Sequence, residues 1–507
     1  MPTETLLALD AGTSSMRGGI YDPQGRLLFL HQVRYRVTSA PDGRVEQDPQ
    51  VFLQALEEIA KEAGVFCSQA GCKIQGIGLA SQRSSLIPVD REGKPLRPVI
   101  MWQDKRTQSL CDWANRQLDI HRICGMRATP VPTAPKILWL KREEPEVWAH
   151  VYKLLGVHEF LLHRMTGGYV TDLSVASRSC LLDLERKVWS EPLLELFGAR
   201  RDHLCALVEP GAVCGRTQGN FHKLLGLSQP VPVVSAGGDQ QCATLGLGVA
   251  HPGEFSVNCG TGAYVITPVE KPVWDPDRNL ICNLSALPGT YILEASTLAS
   301  GMVYDWFVRQ ACRSSDYGPL DQAAAQSPPG AGGVIALPDL MGRGMPDWDA
   351  DARGMFCNIG FHTTQGDLAR AVLEGLAGEL WECVELMRKT GVSPRQAVCS
   401  GGLCKNDLFD QIQADMYGVP LSVPQDAEAT LRGIWGNTAA ALGWQPDAAT
   451  ACKGLLGEIR TFSPQPENQE RFFNINLARR QISRWIPQGF FRPFNQTQCQ
   501  TKKEETT

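Results

Sequence analysis

Short apolar runs that end in glycine-rich polar turns recur along the chain, and stretches of helical period separate them. Near the start, Leu6-Leu7-Ala8-Leu9 leads into Asp10, a Gly12-Thr13-Ser14-Ser15 turn, and Gly18-Gly19-Ile20-Tyr21. This pattern predicts strand, tight turn, strand, with a second turn at Asp22-Pro23-Gln24-Gly25. Asp48 and Pro49 open a helix whose apolar face is Val51, Phe52, Ala55, Leu56, Ile59 and Ala63, with Gly64 as its expected stop. Residues 74–80 read as a strand reaching Ser81-Gln82-Arg83-Ser84. Residues 98–102 then run into Gln103-Asp104-Lys105. A proline-rich loop around Pro130 enters an apolar helix, and Lys136 reads as the exposed side of that helix start before an anchor within the loop. Residues 231–234 form a buried strand opening through Gly237-Gly238 into a helix near Asp239.

The second half repeats this logic. A long amphipathic helix is expected over 367–390, stopped by Gly391. A strand at 397–400 should lead through a glycine turn, Gly401-Gly402-Leu403-Cys404-Lys405-Asn406, into a helix reaching Tyr417. A strand over 419–423 and a helix over 427–442 follow. Strands and helices alternate throughout, so the class is α/β.

At 507 residues the chain suits two domains, expected at 1–250 and 251–480, with a tail at 481–507 whose polar end frays. A formal charge of −5 without basic runs argues against nucleic acid or an anionic membrane as partner. No apolar run is long enough to span a bilayer, and the first residues lack a secretory pattern. The 17 cysteines are scattered with no C-x-x-C pair. Reduced thiols in a cytoplasmic protein fit this better than a zinc or disulfide framework.

A hairpin tip of Gly, Thr and Ser exposes backbone N–H groups that can wrap phosphate oxygens. Asp10 beside such a tip would repel phosphates unless a hard cation such as Mg²⁺ lay between. An ordinary hairpin with turn hydrogen bonds accounts equally for that stretch alone. The pattern recurs, however: Asp10, Gly12 and Thr13 align with Asn258, Gly260 and Thr261. Only the first copy keeps the acid, which predicts an asymmetric metal. No G-x-x-x-x-G-K-[ST] occurs, and no G-x-G-x-x-G follows a strand. Gly401-Gly402 is either a second place for the nucleotide or a tight strand–helix turn. Asp239, at a helix start behind two glycines, is the candidate proton acceptor for an alcohol, or a helix cap. Gln82, Arg83 and Asp104 offer hydrogen-bonding groups for several hydroxyls, and Trp102 offers a flat wall.

These pieces, in this order, resemble the FGGY family of carbohydrate kinases, within the actin/Hsp70/sugar-kinase fold. The carriers are Thr133-Ala134-Pro135-Lys136-Ile137-Leu138-Trp139-Leu140, Gly354-Met355-Phe356-Cys357-Asn358-Ile359 with the helix from Asp367, Gly237-Gly238-Asp239-Gln240-Gln241, and Gly401-Gly402 with Asn406. Asn358 stands where the family has glycine, in a local turn. The resemblance implies two actin-like (ribonuclease H-like) domains with an active-site cleft between them. It implies ATP and Mg²⁺, Asp239 as catalytic base and, with Asp10, as metal ligand. Gly12, Thr13, Ser14, Arg17, Gly260, Thr261, Gly401, Gly402 and Asn406 would serve ATP. Gln82, Arg83, Trp102, Asp104, Asp239 and Gln240 would serve a small sugar or polyol. A homodimer fits the same picture. Glycerol kinases follow the arginine with a glutamate that grips glycerol, where this chain has Ser84, and their substrate-contacting tyrosine falls at Val131. A four- or five-carbon ketose such as a pentulose, or a polyol, is therefore expected before glycerol itself. An Hsp70- or actin-like ATPase and a non-catalytic sugar-binding regulator are the rival classes.

Overall fold

The computed structural model describes residues 2–495 apart from 41, 346, 426 and 427. The expected fraying beyond 495 lies outside the described residues. The opening strand, Thr3–Ala11, is buried from its third residue onward. Leu7, Leu9 and Ala11 enter one apolar core with Phe52, Ile59 and Phe160, while Leu6 and Ala8 enter another with Leu431, Ile434 and Trp435. A strand covered on both faces needs an uninterrupted apolar run, and residues 6–9 supply it.

This strand lies inside a six-stranded sheet ordered Ala212–Arg216, Pro232–Gly238, Cys72–Ser81, Thr3–Ala11, Ser15–Tyr21, Leu27–Arg34. Thr3–Ala11, Cys72–Ser81 and Pro232–Gly238 are mutually parallel neighbours, with Asp10 beside Ala80 beside Gly237, and Ala11 beside Ser81 beside Gly238. Three strands thus end together, and the chain leaves them through the segments that carry Gly12-Thr13, Gln82-Arg83 and Asp239. Carboxyl ends of parallel strands are where such sheets hold ligands.

The first helix does not stop at Gly64; it runs Gln50–Ala70 and ends at Gly71 in the left-handed conformation. A Cβ on Gly64 would sit 2.6 Å from the Leu224 carbonyl, so this glycine permits close packing rather than ending the helix. In sequence the two kinds of glycine look alike.

The chain forms two compact units: 1–250, 268–293 and 428–456 in the first, and 251–267, 294–427 and 457–507 in the second. Residues 268–293 and 428–456, expected in the second domain, therefore belong to the first. The reason is visible in the core: the Ala429–Ala441 helix supplies the side chains that cover the Leu6/Ala8 face of the first sheet. Within unit 2, Glu254–Cys259 pairs antiparallel with Ala263–Val269 and parallel with Gln396–Ser400. Leu421–Pro424 and Ile459–Phe462 continue outward from there.

The long helix spans Gln365–Lys389 and is opened by a capping box in which Thr364 and Asp367 exchange hydrogen bonds. The tail expected at 481–507 is not separate over its described residues. The Pro466–Trp485 helix runs into it, Gln488 donates to the Trp348 carbonyl, and Arg492 pairs with Asp351. Asn358 takes φ +62° and donates to the Gly333 carbonyl, so it occupies the left-handed position glycine would otherwise fill. No described helix is long and apolar enough to cross a membrane.

Candidate active site

The first hairpin closes with Gly12 N–H donating to the Ser15 carbonyl at 2.9 Å. Its tip is held from several directions. Tyr35 donates through its hydroxyl to the Gly12 carbonyl (2.7 Å), and Gln82 Nε2 reaches the same oxygen at 3.3 Å. Trp102 Nε1 donates to Thr13 Oγ1 at 3.0 Å, and Arg17 pairs with Glu428 at 3.1 Å. Trp102 therefore ties the predicted acceptor side to the predicted phosphate turn. That link is invisible in a sequence where the two residues lie 89 apart.

Asp239 is the first residue of the Asp239–Gly246 helix. Its Oδ1 lies 3.2 Å from Arg83 Nε, and Arg83 Nη1 donates to Gln241 Oε1 at 3.1 Å. The Asp239 side chain remains about a quarter exposed. Arg83 is held over Gly238, where a Cβ would come within 2.6 Å of its side chain. Asp10 is enclosed, and burial first, then the neighbouring Asp239, push its carboxyl up to about 7. Its Oδ1 is buried with no hydrogen-bond partner.

An orphaned carboxylate oxygen beside a second acid is what a hard divalent cation relieves, so these residues fit Mg²⁺. Among the described residues no group of three or more His, Cys, Asp or Glu is arranged to hold a metal. Protein ligation would then stop at two carboxylates, with water and phosphate completing the shell, as is usual for Mg²⁺.

On the acceptor side, Gln82 Oε1 accepts from Ser85, and Gln240 N–H donates to Asp239 Oδ1. Ser84 takes φ +73° and donates to the Arg178 carbonyl. Gln82, Ser84 and Ser85 line a cavity of about 40 Å³ together with Thr133, His158 and Glu159. Asp104 departs from expectation. It is fully buried and accepts from Val45 N–H and from the Arg106 backbone and guanidinium, leaving no face for a ligand. Burial works against its charge, but the Arg106 bonds outweigh it and hold the carboxyl below its ordinary value. Lys136 is likewise not an exposed helix residue. It is buried and donates to the carbonyls of Pro130, Val131 and Pro132, anchoring the proline-rich loop. Burial lowers its ammonium to about 7.

In unit 2 the second hairpin pairs Asn258 with Tyr264 and Cys259 with Ala263, so its turn is one residue shorter than the first. Ser300 N–H donates to the Thr261 carbonyl and Gly301 N–H to the Gly260 carbonyl. Ser400 lies beside Asn258 on the parallel strand, which brings Gly401 against this turn. Gly401 takes φ +105°, and a Cβ there would meet the Cys259 carbonyl at 2.4 Å. The glycines do not open an α-helix: a 3₁₀ turn, Gly402–Lys405, intervenes. The Asp407–Tyr417 helix is capped instead by Asn406, whose side chain accepts from Phe409 N–H and donates to Asp321. Sequence reasoning did not assign Tyr35, Gln241 or Glu428 to the site. Gln241 had a signal, its place in Gly237-Gly238-Asp239-Gln240-Gln241; the other two had none.

Two α/β units that each present a Gly-Thr hairpin beside a parallel strand end, one of them armed with an acid–arginine pair, define a phosphotransferase of the sugar-kinase type. The comparisons agree. Residues 5–246 match the N-terminal domain of the FGGY family of carbohydrate kinases and residues 255–442 its C-terminal domain; the chain belongs to this family and is a carbohydrate kinase. It is 29% identical over 490 residues to a xylulose kinase of Lactococcus lactis, covering 94% of this chain and 96% of that one. It is 33% identical over 448 residues to a glycerol kinase of Methylibium petroleiphilum, covering 84% and 89%. The crystal structure of a ligand-bound xylulose kinase from Lactobacillus acidophilus superposes with a TM-score of 0.89 at 25% identity, covering 95% and 98%.

Proposed function

We propose that this kinase moves the terminal phosphoryl group of ATP onto a hydroxyl of a four- or five-carbon ketose or polyol, a pentulose foremost. The observation that carries the reading is the Asp239–Arg83 pair beside the orphaned Asp10 oxygen. Phosphoryl transfer to an alcohol asks mainly for alignment, charge neutralisation and a place for the hydroxyl proton. Asp239 accepts that proton, and Arg83 fixes the orientation of its carboxylate. Asp10 and Asp239 would hold Mg²⁺, which supplies charge neutralisation at the phosphates when bound. Thr13, Ser14 and Arg17, on the turn that Gly12 closes, and separately Gly260 and Thr261, would offer N–H and hydroxyl donors to the phosphates. Gly401, Gly402 and Asn406 offer an adenosine an open backbone. Gln82, Arg83, Trp102 and Gln240 offer the acceptor its contacts.

The size of the acceptor rests on Ser84. The short side chain that follows Arg83 donates to the Arg178 carbonyl and borders a cavity, which supports an acceptor larger than a three-carbon polyol. The relatives include proteins named as xylulose kinase and as glycerol kinase, so both acceptors belong in one assay. The test is ADP release against a panel of pentuloses, tetruloses, polyols and glycerol, with Asp239→Asn alongside. Pentulose turnover well above glycerol is expected, and the variant should bind both substrates yet transfer almost nothing. Turnover with glycerol alone would reverse the order of acceptors, and near-normal turnover by the variant would remove Asp239 from its role.

A further inference from the structure

The strand that delivers Asp239 carries an irregularity with a dedicated clamp. Along Pro232–Gly238, Ser235 pairs with Leu79, but the next pair is Gly237 with Ala80, so Ala236 is an extra residue. Gly237 absorbs the bulge at φ +132°. A one-residue shift of register reverses the face to which every following side chain points. The bulge therefore decides which way Asp239 is aimed when the strand hands over to the helix.

One buried carboxylate straddles that bulge. Asp172 is fully buried, and its Oδ2 accepts from Ser235 Oγ, before the extra residue, at 2.5 Å. His158 Nε2 lies 2.7 Å from the same Ser235 oxygen. Asp172 Oδ1 accepts from Ser174 Oγ at 2.5 Å and from the N–H groups of Ser174 and Val175. Ser174 Oγ, its proton committed to Asp172, accepts from Gly238 N–H at 3.1 Å, beyond the extra residue. The same hydroxyl stands where a Cβ on Gly237 would come within 2.9 Å. Finally the Ser174 carbonyl accepts from Gln241 Nε2, and Gln241 holds Arg83, the partner of Asp239. Ser174 thus grips the backbone immediately before Asp239 and, through Gln241 and Arg83, its carboxylate.

We infer that Ser174 and Asp172 are positioning residues for phosphoryl transfer: they pin the 235–238 bulge so that Asp239 and Arg83 face the acceptor hydroxyl. Neither touches substrate. The inference rests on the reading of Asp239 as proton acceptor. A misplacement of about 1 Å at a reacting group can cost about a hundredfold in rate.

Ser174→Ala removes the acceptor of Gly238 N–H and is expected to lower kcat about ten- to a hundredfold, with the acceptor KM within about twofold. Ser174→Thr keeps an Oγ and should recover most of the rate. Thr217→Val is the control. Thr217 Oγ1 takes a buried backbone N–H at the other end of the same strand, that of Val231, so its loss costs stability without touching the bulge. Its kcat should stay within about twofold of wild type. If Ser174→Ala does not fold, Asp172→Asn is measured for the same split between kcat and KM. A wild-type kcat in the positioning variant beside an inactive Asp239→Asn overturns the inference, as does an equal fall in kcat for Thr217→Val. An active Asp239→Asn instead overturns the proton-acceptor reading beneath it.

Discussion

The two Gly-Thr hairpins are the same device built for different work. Each is an antiparallel pair whose first strand also runs parallel to a strand from later in its own unit. In unit 1 that later strand ends in Gln82-Arg83, and in unit 2 it ends in Gly401-Gly402. Side chains that grip stand where the other copy has bare backbone. Asp10 has become Asn258, and one turn residue is missing. The first hairpin is braced by Tyr35, Gln82 and Trp102, whereas the second is held by backbone bonds from Ser300 and Gly301. One frame thus yields an end braced by side chains, which the proposed function gives to metal and acceptor, and a glycine-lined end, which it gives to the adenosine.

Making the first hairpin resemble the second tests this most severely. Asp10→Asn should lower kcat by about a hundredfold or more, since one oxygen ligand and one charge go together. Asn258→Asp should not restore it, because Gly401-Gly402 supply no second acid or arginine. Steady-state rates across a Mg²⁺ titration measure both, and a rescued double variant would mean the two ends are interchangeable.

The glycine end predicts a smaller, sharper contrast. Gly401→Ala needs a left-handed backbone and 2.4 Å from the Cys259 carbonyl, whereas a Cβ on Gly402 meets nothing within 4 Å. The first should raise the nucleotide KM about tenfold or more and the second by less than about twofold. Equal effects would show that the turn is not read by the nucleotide.

Asp10 also makes stability depend on pH, and Asn258 cannot. Its carboxyl, raised from the ordinary 3.8 to about 7, stays protonated in the folded chain after the unfolded chain has ionised. Without divalent cation, stability should therefore fall as pH rises from about 4 to about 7 and level off above. Asp10→Asn should flatten that slope, and Mg²⁺ at pH 8 should stabilise wild type but not the variant. Denaturant midpoints at successive pH values show both. The smallest effect belongs to Trp102→Phe, which deletes one hydrogen bond to Thr13 at a cost of about 1 kcal/mol. A rise of a few-fold in KM for both substrates is expected, since that bond joins the two sides; an acceptor-only effect would leave Trp102 as wall alone.

Much was legible in the chain because it depends on local order. The apolar run at 6–9, the paired Gly-Thr turns, the α/β alternation and Gly237-Gly238-Asp239 are all contiguous, and backbone sterics with side-chain period fix their form wherever they fold. What the chain hid depends on neighbours distant in sequence. Gly64, helical and packed on the Leu224 carbonyl, and Gly71, left-handed at the helix end, look alike in sequence, and Asp104 and Lys136 look like surface polar groups until Arg106 and three loop carbonyls enclose them. The assignment of 428–456 to the first unit, the bulge at Ala236 and its clamp from Asp172 belong to the same class. Local propensity writes elements into a sequence, but whether a polar side chain meets water, a partner or a ligand is settled only when remote segments close around it.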